Sequence, residues 1–118
     1  VINGNGEFSR DFTYIDNVIQ ANLLSMITDN NEAINTVYNV AFGERNTLKD
    51  LVELLKKQLT EFDSKIKGIQ VIYGPNRVGD IPHSLASIDK AKNLLAYNPQ
   101  FSLEKGLKEA VNWYWNNL

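Results

Sequence analysis

Three charged side chains lie in glycine-containing loops, a setting in which proteins commonly bind phosphate. Arg10 follows the NGNG turn at 3–6, and both Arg77 and Asp80 belong to the GPNRVGD loop at 74–80. A guanidinium offers a planar fork of donors that matches phosphate oxygens, and glycine lets the backbone approach closely. Two such arginines converging on one point would suit a diphosphate. Asp80 would then either accept hydrogen bonds from sugar hydroxyls or cap a turn.

The same residues also fit a plainer interpretation, in which both arginines form ordinary surface ion pairs. Arg10 would pair with Asp11 or Glu7, and Arg77 would pair with Asp80, all within short sequence distances. Such exposed pairs contribute little free energy and have no ligand-binding role. The residue types alone favour this second interpretation.

Several other chemistries are excluded by composition. The chain has no cysteine and one histidine, His83, so disulfides, cysteine zinc sites and histidine-rich metal sites cannot form. His83 is interpreted as an ordinary loop histidine rather than a catalytic base. The turn at 3–6 lacks the third glycine and the following helix of a dinucleotide-binding loop, so a Rossmann core is not expected.

Charge and hydropathy narrow the possible partners. The formal net charge of −2 argues against a nucleic-acid partner. No run approaches the roughly 20 apolar residues that a membrane span needs, so no membrane partner is expected. The absence of cysteine suits a reducing cytoplasm. The chain starts at Val1, inside a β-prone pair, and we expect it to be a piece of a longer protein.

Alternating helix and strand signals predict a mixed α/β fold with a small mixed sheet and about four helices. The expected strands cover 10–15, 36–40 and 69–73. The expected helices are 17–28 capped by Asp16, 48–62 capped by Asn46 or Thr47, 89–96 capped by Asp89, and one from 103 capped by Ser102. The strands are too few for a complete doubly wound sheet.

Three segments, in order along the chain, carry a family resemblance. Residues 4–18 (GNGEFSRDFTYIDNV) resemble the pattern G-D-G-x-x-x-R-D-F-x-Y-V-x-D-V, and 37–43 (VYNVAFG) resemble Y-N-[LV]-G/A-x-G. Residues 77–80 (RVGD) followed by 86–91 (ASIDKA) resemble R-P-G-D and A-D-x-S-K-A. Together they resemble the extended short-chain dehydrogenase/reductase family, within it the bacterial UDP-N-acetylglucosamine 4-epimerases of surface-polysaccharide synthesis.

This resemblance implies a role for each candidate residue. Arg10 and Arg77 would hold the UDP diphosphate, and Asp80 would accept hydrogen bonds from the ribose or uridine. Ser84 would face the sugar, where galactose-type epimerases carry a bulky tyrosine, and its small size would leave room for an N-acetyl group. The implied substrate is a UDP-N-acetylhexosamine, and the implied cofactor is NAD in the intact parent.

The resemblance also implies that the sugar nucleotide and NAD are bound by different parts of the parent protein. Residues 1–118 would form one C-terminal sugar-nucleotide-binding fragment that binds no NAD and is inactive alone, because the cofactor loop and the Tyr-x-x-x-Lys pair lie upstream. Residues 16–42 would pack on the missing N-terminal NAD-binding domain, so the isolated fragment would expose an apolar face and self-associate. Two alternatives stay open: the same part of a UDP-sugar dehydratase or decarboxylase, and a non-enzymatic interaction module.

Overall fold

The computed structural model describes residues 1–118 and contains four α-helices and four two-residue strands. Two short 3-10 helices, Asn31–Ala33 and Ser64–Gly68, lie between them. In chain order the elements are β1 Ile2–Asn3, β2 Ser9–Arg10, α1 Ile15–Ile27, β3 Asn46–Thr47, α2 Leu48–Thr60, β4 Tyr73–Gly74, α3 Asp89–Leu95 and α4 Leu103–Asn117. The prediction of an α/β chain with about four helices is confirmed.

The two long amphipathic helices begin at the predicted caps. The Thr47 hydroxyl accepts from the Asp50 N–H, and the Asp50 carboxylate accepts from the Thr47 N–H, which forms a reciprocal capping box. The Thr47 hydroxyl also donates to the Asp50 carboxylate at 2.7 Å, and this bond, with a smaller contribution from the Thr47 N–H, holds the pKa of Asp50 below its usual value. At the start of α4, the Ser102 hydroxyl accepts from the Lys105 N–H at 3.4 Å.

The caps predicted for the other two helices are wrong. Helix α1 begins one residue before Asp16, with Tyr14 at the N-cap, and Asp16 lies in the first turn. Asp89 is likewise the first residue of α3, after Ile88 at the N-cap. Acidic residues are favourable in a first turn as well as at a cap, because both positions face the positive end of the helix dipole.

The strands form two separate pairs rather than one sheet. Strand β1 pairs in parallel with β4, and β2 pairs antiparallel with β3. The predicted strands at 10–15 and 69–73 are largely wrong, because only Arg10 of the first range and Tyr73 of the second lie in a strand. Residues 36–40 form no strand, although their burial alternates from one residue to the next. A β-prone segment forms a strand only where a partner supplies the ladder hydrogen bonds, and this segment has none.

The buried side chain of Asn17 connects α1 to the residues just before α4. Its amide donates to the Phe101 carbonyl at 2.8 Å and its oxygen accepts from the Gln100 and Phe101 N–H groups at 2.9 and 3.1 Å. The buried core is small and lies beside these contacts. Five of its ten buried apolar residues form one cluster, which consists of Ala21, Ala41, Ile88, Ala91 and Tyr97.

Tyr97 is the largest fully buried side chain. Its hydroxyl donates to the Ala41 carbonyl at 2.9 Å, which joins the end of α3 to the segment after residue 40. Burial, with a smaller contribution from Asp11, raises the pKa of Tyr97 above its usual value, so the hydroxyl stays a donor.

Candidate functional site

One cavity brings together three of the four predicted site residues. Arg10, Arg77 and Asp80 line a cavity of about 460 Å³. Its polar lining also includes Asn3. Its apolar wall comes from β1 and α2, through Val1, Ile2, Leu48, Leu51 and Val52. A pocket of this size with a few polar groups on an apolar wall is typical of small-molecule sites.

Parallel pairing of β1 with β4 places the Arg77 loop next to the turn at 3–6. The Gly4 N–H donates to the Gly74 carbonyl at 3.0 Å. Gly4 has a φ of 75°, and a Cβ at this position would collide with the Asn76 side chain. Glycine is favoured here by its backbone conformation, and any other residue would also displace the Asn76 side chain.

The ion pairs differ from those of the plainer interpretation. Arg10 pairs with Asp80 through Nη2 rather than with Asp11 or Glu7, and Glu7 pairs with Lys49 at 3.3 Å. Arg77 makes no ion pair within 4.0 Å. The site therefore holds one arginine balanced by a carboxylate and one arginine whose charge is free to meet an anion.

Asp11 has a structural role that the sequence did not reveal. One carboxylate oxygen accepts from the Phe42 and Gly43 N–H groups, both at 3.2 Å, and the other accepts from Gly43 at 3.1 Å. Side-chain to backbone bonds of this kind hold a turn in place. Asp11 thus anchors the segment after residue 40 to the end of β2, next to the cavity.

Ser84 lies beside the cavity but does not line it. Its N–H donates to the Ser9 carbonyl at 3.1 Å, and its side chain is exposed. The neighbouring His83 forms an isolated parallel bridge to Ser9. Ser84 therefore lies on the segment that follows Asp80, and its backbone is hydrogen-bonded to the residue before Arg10.

Sequence reasoning missed the apolar wall of the cavity and Asn3. Leu48, Leu51 and Val52 lie on the apolar side of α2, and they are half-buried where the first turns of this helix border the cavity. Hydrophobic periodicity cannot separate a residue that packs on the core from one that lines a pocket. Asn3 lies in the turn at 3–6 and is not among the predicted site residues.

The match to a family model decides the family. The model described as GDP-mannose 4,6 dehydratase matches residues 1–110. The chain belongs to the extended short-chain dehydrogenase/reductase family. Its fold is that of the C-terminal part of the family's epimerases.

Three relatives illustrate the family's range. A putative UDP-glucose 4-epimerase of Methanocaldococcus jannaschii is 29% identical, with 99% of this chain matching 34% of the relative. The UDP-N-acetylglucosamine 4-epimerase of Methanobrevibacter ruminantium, solved with UDP-N-acetylmuramic acid, is 37% identical with a TM-score of 0.82. The match covers 99% of this chain and 34% of that one.

The third relative was solved with a cofactor. The UDP-glucuronic acid 4-epimerase of Bacillus cereus, solved with UDP-glucuronic acid and NAD, is 29% identical with a TM-score of 0.80 over 99% of this chain and 35% of its own. The chain therefore spans about a third of the length of the relatives it matches. None of its own helices combines the length and hydropathy that a membrane crossing requires.

Proposed function

We propose that this chain is the UDP-sugar-binding part of an NAD-dependent UDP-sugar 4-epimerase. The observation that carries the proposal is the placement of Arg10 and Arg77 on one cavity with an apolar wall. A diphosphate needs paired cationic donors, and a flat base and ribose need an apolar surface with a few polar groups. The carboxylate of Asp80 holds Arg10 with one oxygen and can accept from a ribose hydroxyl with the other.

The finer proposal is that the substrate pair is UDP-N-acetylglucosamine and UDP-N-acetylgalactosamine, used for surface polysaccharide. It is supported by the small side chain of Ser84 beside the cavity and by the likeness to the Methanobrevibacter ruminantium enzyme, which is a UDP-N-acetylglucosamine 4-epimerase. A small residue rather than a bulky one leaves space for the N-acetyl group, so selectivity would be steric.

The residues of this chain do not fit NAD. The turn at 3–6 leads into β2 rather than into a helix, so the chain lacks the strand–turn–helix unit whose helix N-terminus binds the pyrophosphate of a dinucleotide. We propose that NAD is held by a separate domain of a longer protein. This chain would contribute diphosphate binding remote from the reacting carbon, which positions the sugar without holding the sugar itself.

We propose that residues 16–42 pack against that NAD-binding domain. Helix α1 has its inner side on the core, yet its outer side is also apolar. The exposed outer residues are Ile15, Ile19, Leu23, Met26 and Ile27. A helix that is apolar on both sides is normally covered on both sides. The unpaired extended segment at 36–40 lies next in sequence, with Val37 85% exposed.

The test of the proposed function is the affinity of the full-length protein for UDP, measured by titration calorimetry. Arg77→Ala should weaken UDP binding about 10- to 100-fold, since a hydrogen bond to a charged group contributes roughly 1.5–3 kcal/mol. Uridine binding should change little, because uridine has no phosphate. The loss should shrink as salt is added.

Arg45→Ala is the matched control. Arg45 is exposed, makes no ion pair within 4.0 Å and does not line the cavity. The Arg45→Ala variant therefore removes the same charge as Arg77→Ala without changing a residue that lines the cavity. If Arg45→Ala and Arg77→Ala have equal effects, or if UDP does not bind, the arginines are surface charges and the interaction-module alternative is correct.

A further inference from the structure

Ser9 is a buried polar residue directly before Arg10. Only 2% of its surface is exposed, and its Oγ shares a hydrogen bond of 2.9 Å with Nδ1 of His83, which lies 74 residues further along the chain. Buried hydroxyls need a partner, and here the partner is an exposed loop histidine. The interpretation of His83 as an ordinary loop residue leaves this contact unexplained.

The backbone of Ser9 holds the same loop. Its N–H donates to the Pro82 carbonyl at 2.9 Å, and its carbonyl accepts from the Ser84 N–H at 3.1 Å. The same carbonyl accepts from Nη1 of Arg10 at 2.7 Å. One residue therefore connects a site arginine to the segment that begins at Asp80 and ends at Ser84.

The rest of that segment is weakly constrained. Its backbone pairs with β2 only through a single isolated bridge, and the residues from 81 to 85 are exposed. A short parallel bridge contributes few hydrogen bonds, so a side-chain bond alongside it changes the register and mobility of the loop substantially. The Ser9–His83 bond and the Arg10–Asp80 ion pair are the side-chain contacts that supplement the bridge.

We propose that Ser9 and His83 act as positioning residues for the nucleotide-sugar site. The Ser9–His83 bond fixes residues 80–84 beside β2, so that Asp80 meets Arg10 and Ser84 lies next to the cavity. Neither side chain touches the ligand in this scheme. The proposal rests on the proposed function for the identity of the ligand. What it adds is that the ordering of residues 80–84 is coupled to ligand binding.

The test compares His83→Leu with His83→Asn in the full-length protein. Asparagine places a hydrogen-bonding atom near the position of Nδ1, whereas leucine removes it. His83→Leu should raise the KM for the UDP-sugar about 3- to 10-fold, the range expected from one net hydrogen bond, with kcat changed less than about twofold. His83→Asn should restore the KM to within about twofold. Ser9→Ala should match His83→Leu and add little to it in a double variant.

Amide hydrogen exchange of the ligand-free protein tests the Ser9–His83 bond independently of any substrate. His83→Leu should speed exchange of the Ser84 amide at least several-fold and leave the amides of α2 and α4 unchanged. The proposal is overturned if exchange at Ser84 is unchanged, or if leucine and asparagine at position 83 give the same KM. If Arg77→Ala still weakens UDP binding when either of these results is obtained, only the positioning role is wrong and the proposed function stands. If Arg77→Ala does not weaken UDP binding, the proposed function itself is wrong.

Discussion

Asp80 already occupies one side of the Arg10 guanidinium, whereas Arg77 has no carboxylate within ion-pair distance. An incoming diphosphate would share Arg10 with Asp80 but would meet Arg77 without competition. Removing Arg10 would leave the Asp80 carboxylate without its ion-pair partner. Removing Arg77 would leave no carboxylate unpaired. Arg77 is therefore the cleaner position at which to measure the anion contribution of the site.

Ser84→Tyr tests the steric basis of substrate choice. The added ring should lower kcat/KM for UDP-N-acetylglucosamine about 10- to 100-fold and change kcat/KM for UDP-glucose much less, because only the first substrate carries the N-acetyl group. Steady-state kinetics of the full-length protein on both substrates give the comparison. Ser64→Tyr, at an exposed serine of the 3-10 helix Ser64–Gly68, is the control. Equal losses on both substrates would contradict the specificity proposal.

The sequence grouped Arg10, Arg77 and Asp80, which line one cavity, but it did not predict their ion pairs. Loop context pointed to Arg10, Arg77 and Asp80, and the family resemblance joined them into one site. The actual partner of Arg10 lies 70 residues away, so it depends on the parallel pairing of β1 with β4 and on the Ser9 bridge to His83. Local spacing carries no information about such pairings, which is why the sequence-adjacent ion pairs were the wrong alternative.

At the scale of elements, α2 and α4 were predictable because cap and stripe agree. The strands were not, because a β-prone run becomes a strand only through a distant partner. Residues 36–40 have the composition of a strand and no partner in this chain. Helix α4 shows a second tertiary effect. Gly106 is the fourth residue of α4, inside the helix where glycine is unfavourable, and its lack of a side chain lets α4 pack directly on Tyr14.

Gly106→Ala should destabilise the fold despite the better helix propensity of alanine. A Cβ at Gly106 would lie 2.8–2.9 Å from Cβ, Cγ and Cδ2 of Tyr14, whose ring packs on Phe101 with centroids 5.0 Å apart. Overpacking of this kind costs about 1–3 kcal/mol. Urea denaturation should show a lower free energy of unfolding. Gly68→Ala has open space around its Cβ and should be close to neutral, and a stabilised Gly106→Ala variant would contradict the packing.

The whole molecule is flat, with extents of 54 × 35 × 19 Å. Its radius of gyration is 17.1 Å, against about 13–14 Å for a compact domain of this length. Only 15 of 118 residues are buried, which leaves much apolar surface in contact with solvent. A slab with so little core gains stability when a second layer covers its apolar side, in agreement with the proposed packing of residues 16–42 on another domain.

The isolated chain should therefore self-associate through the outer side of α1. Analytical ultracentrifugation should show a mass that rises with concentration, and the double variant Leu23→Lys with Met26→Lys should reduce that rise, because both side chains are exposed on this side. Leu118→Lys, at an exposed leucine after the end of α4, should have no effect. If the isolated chain is a monomer at high concentration and the double variant does not change its mass, the outer side of α1 does not drive association.

The most direct measurement is a crystal structure of the full-length protein with UDP bound. The account predicts diphosphate oxygens within about 2.7–3.2 Å of the guanidinium nitrogens of both Arg10 and Arg77. The base and ribose should lie on the wall formed by β1 and the start of α2. A diphosphate bound elsewhere, with neither arginine in contact, would contradict the central claim.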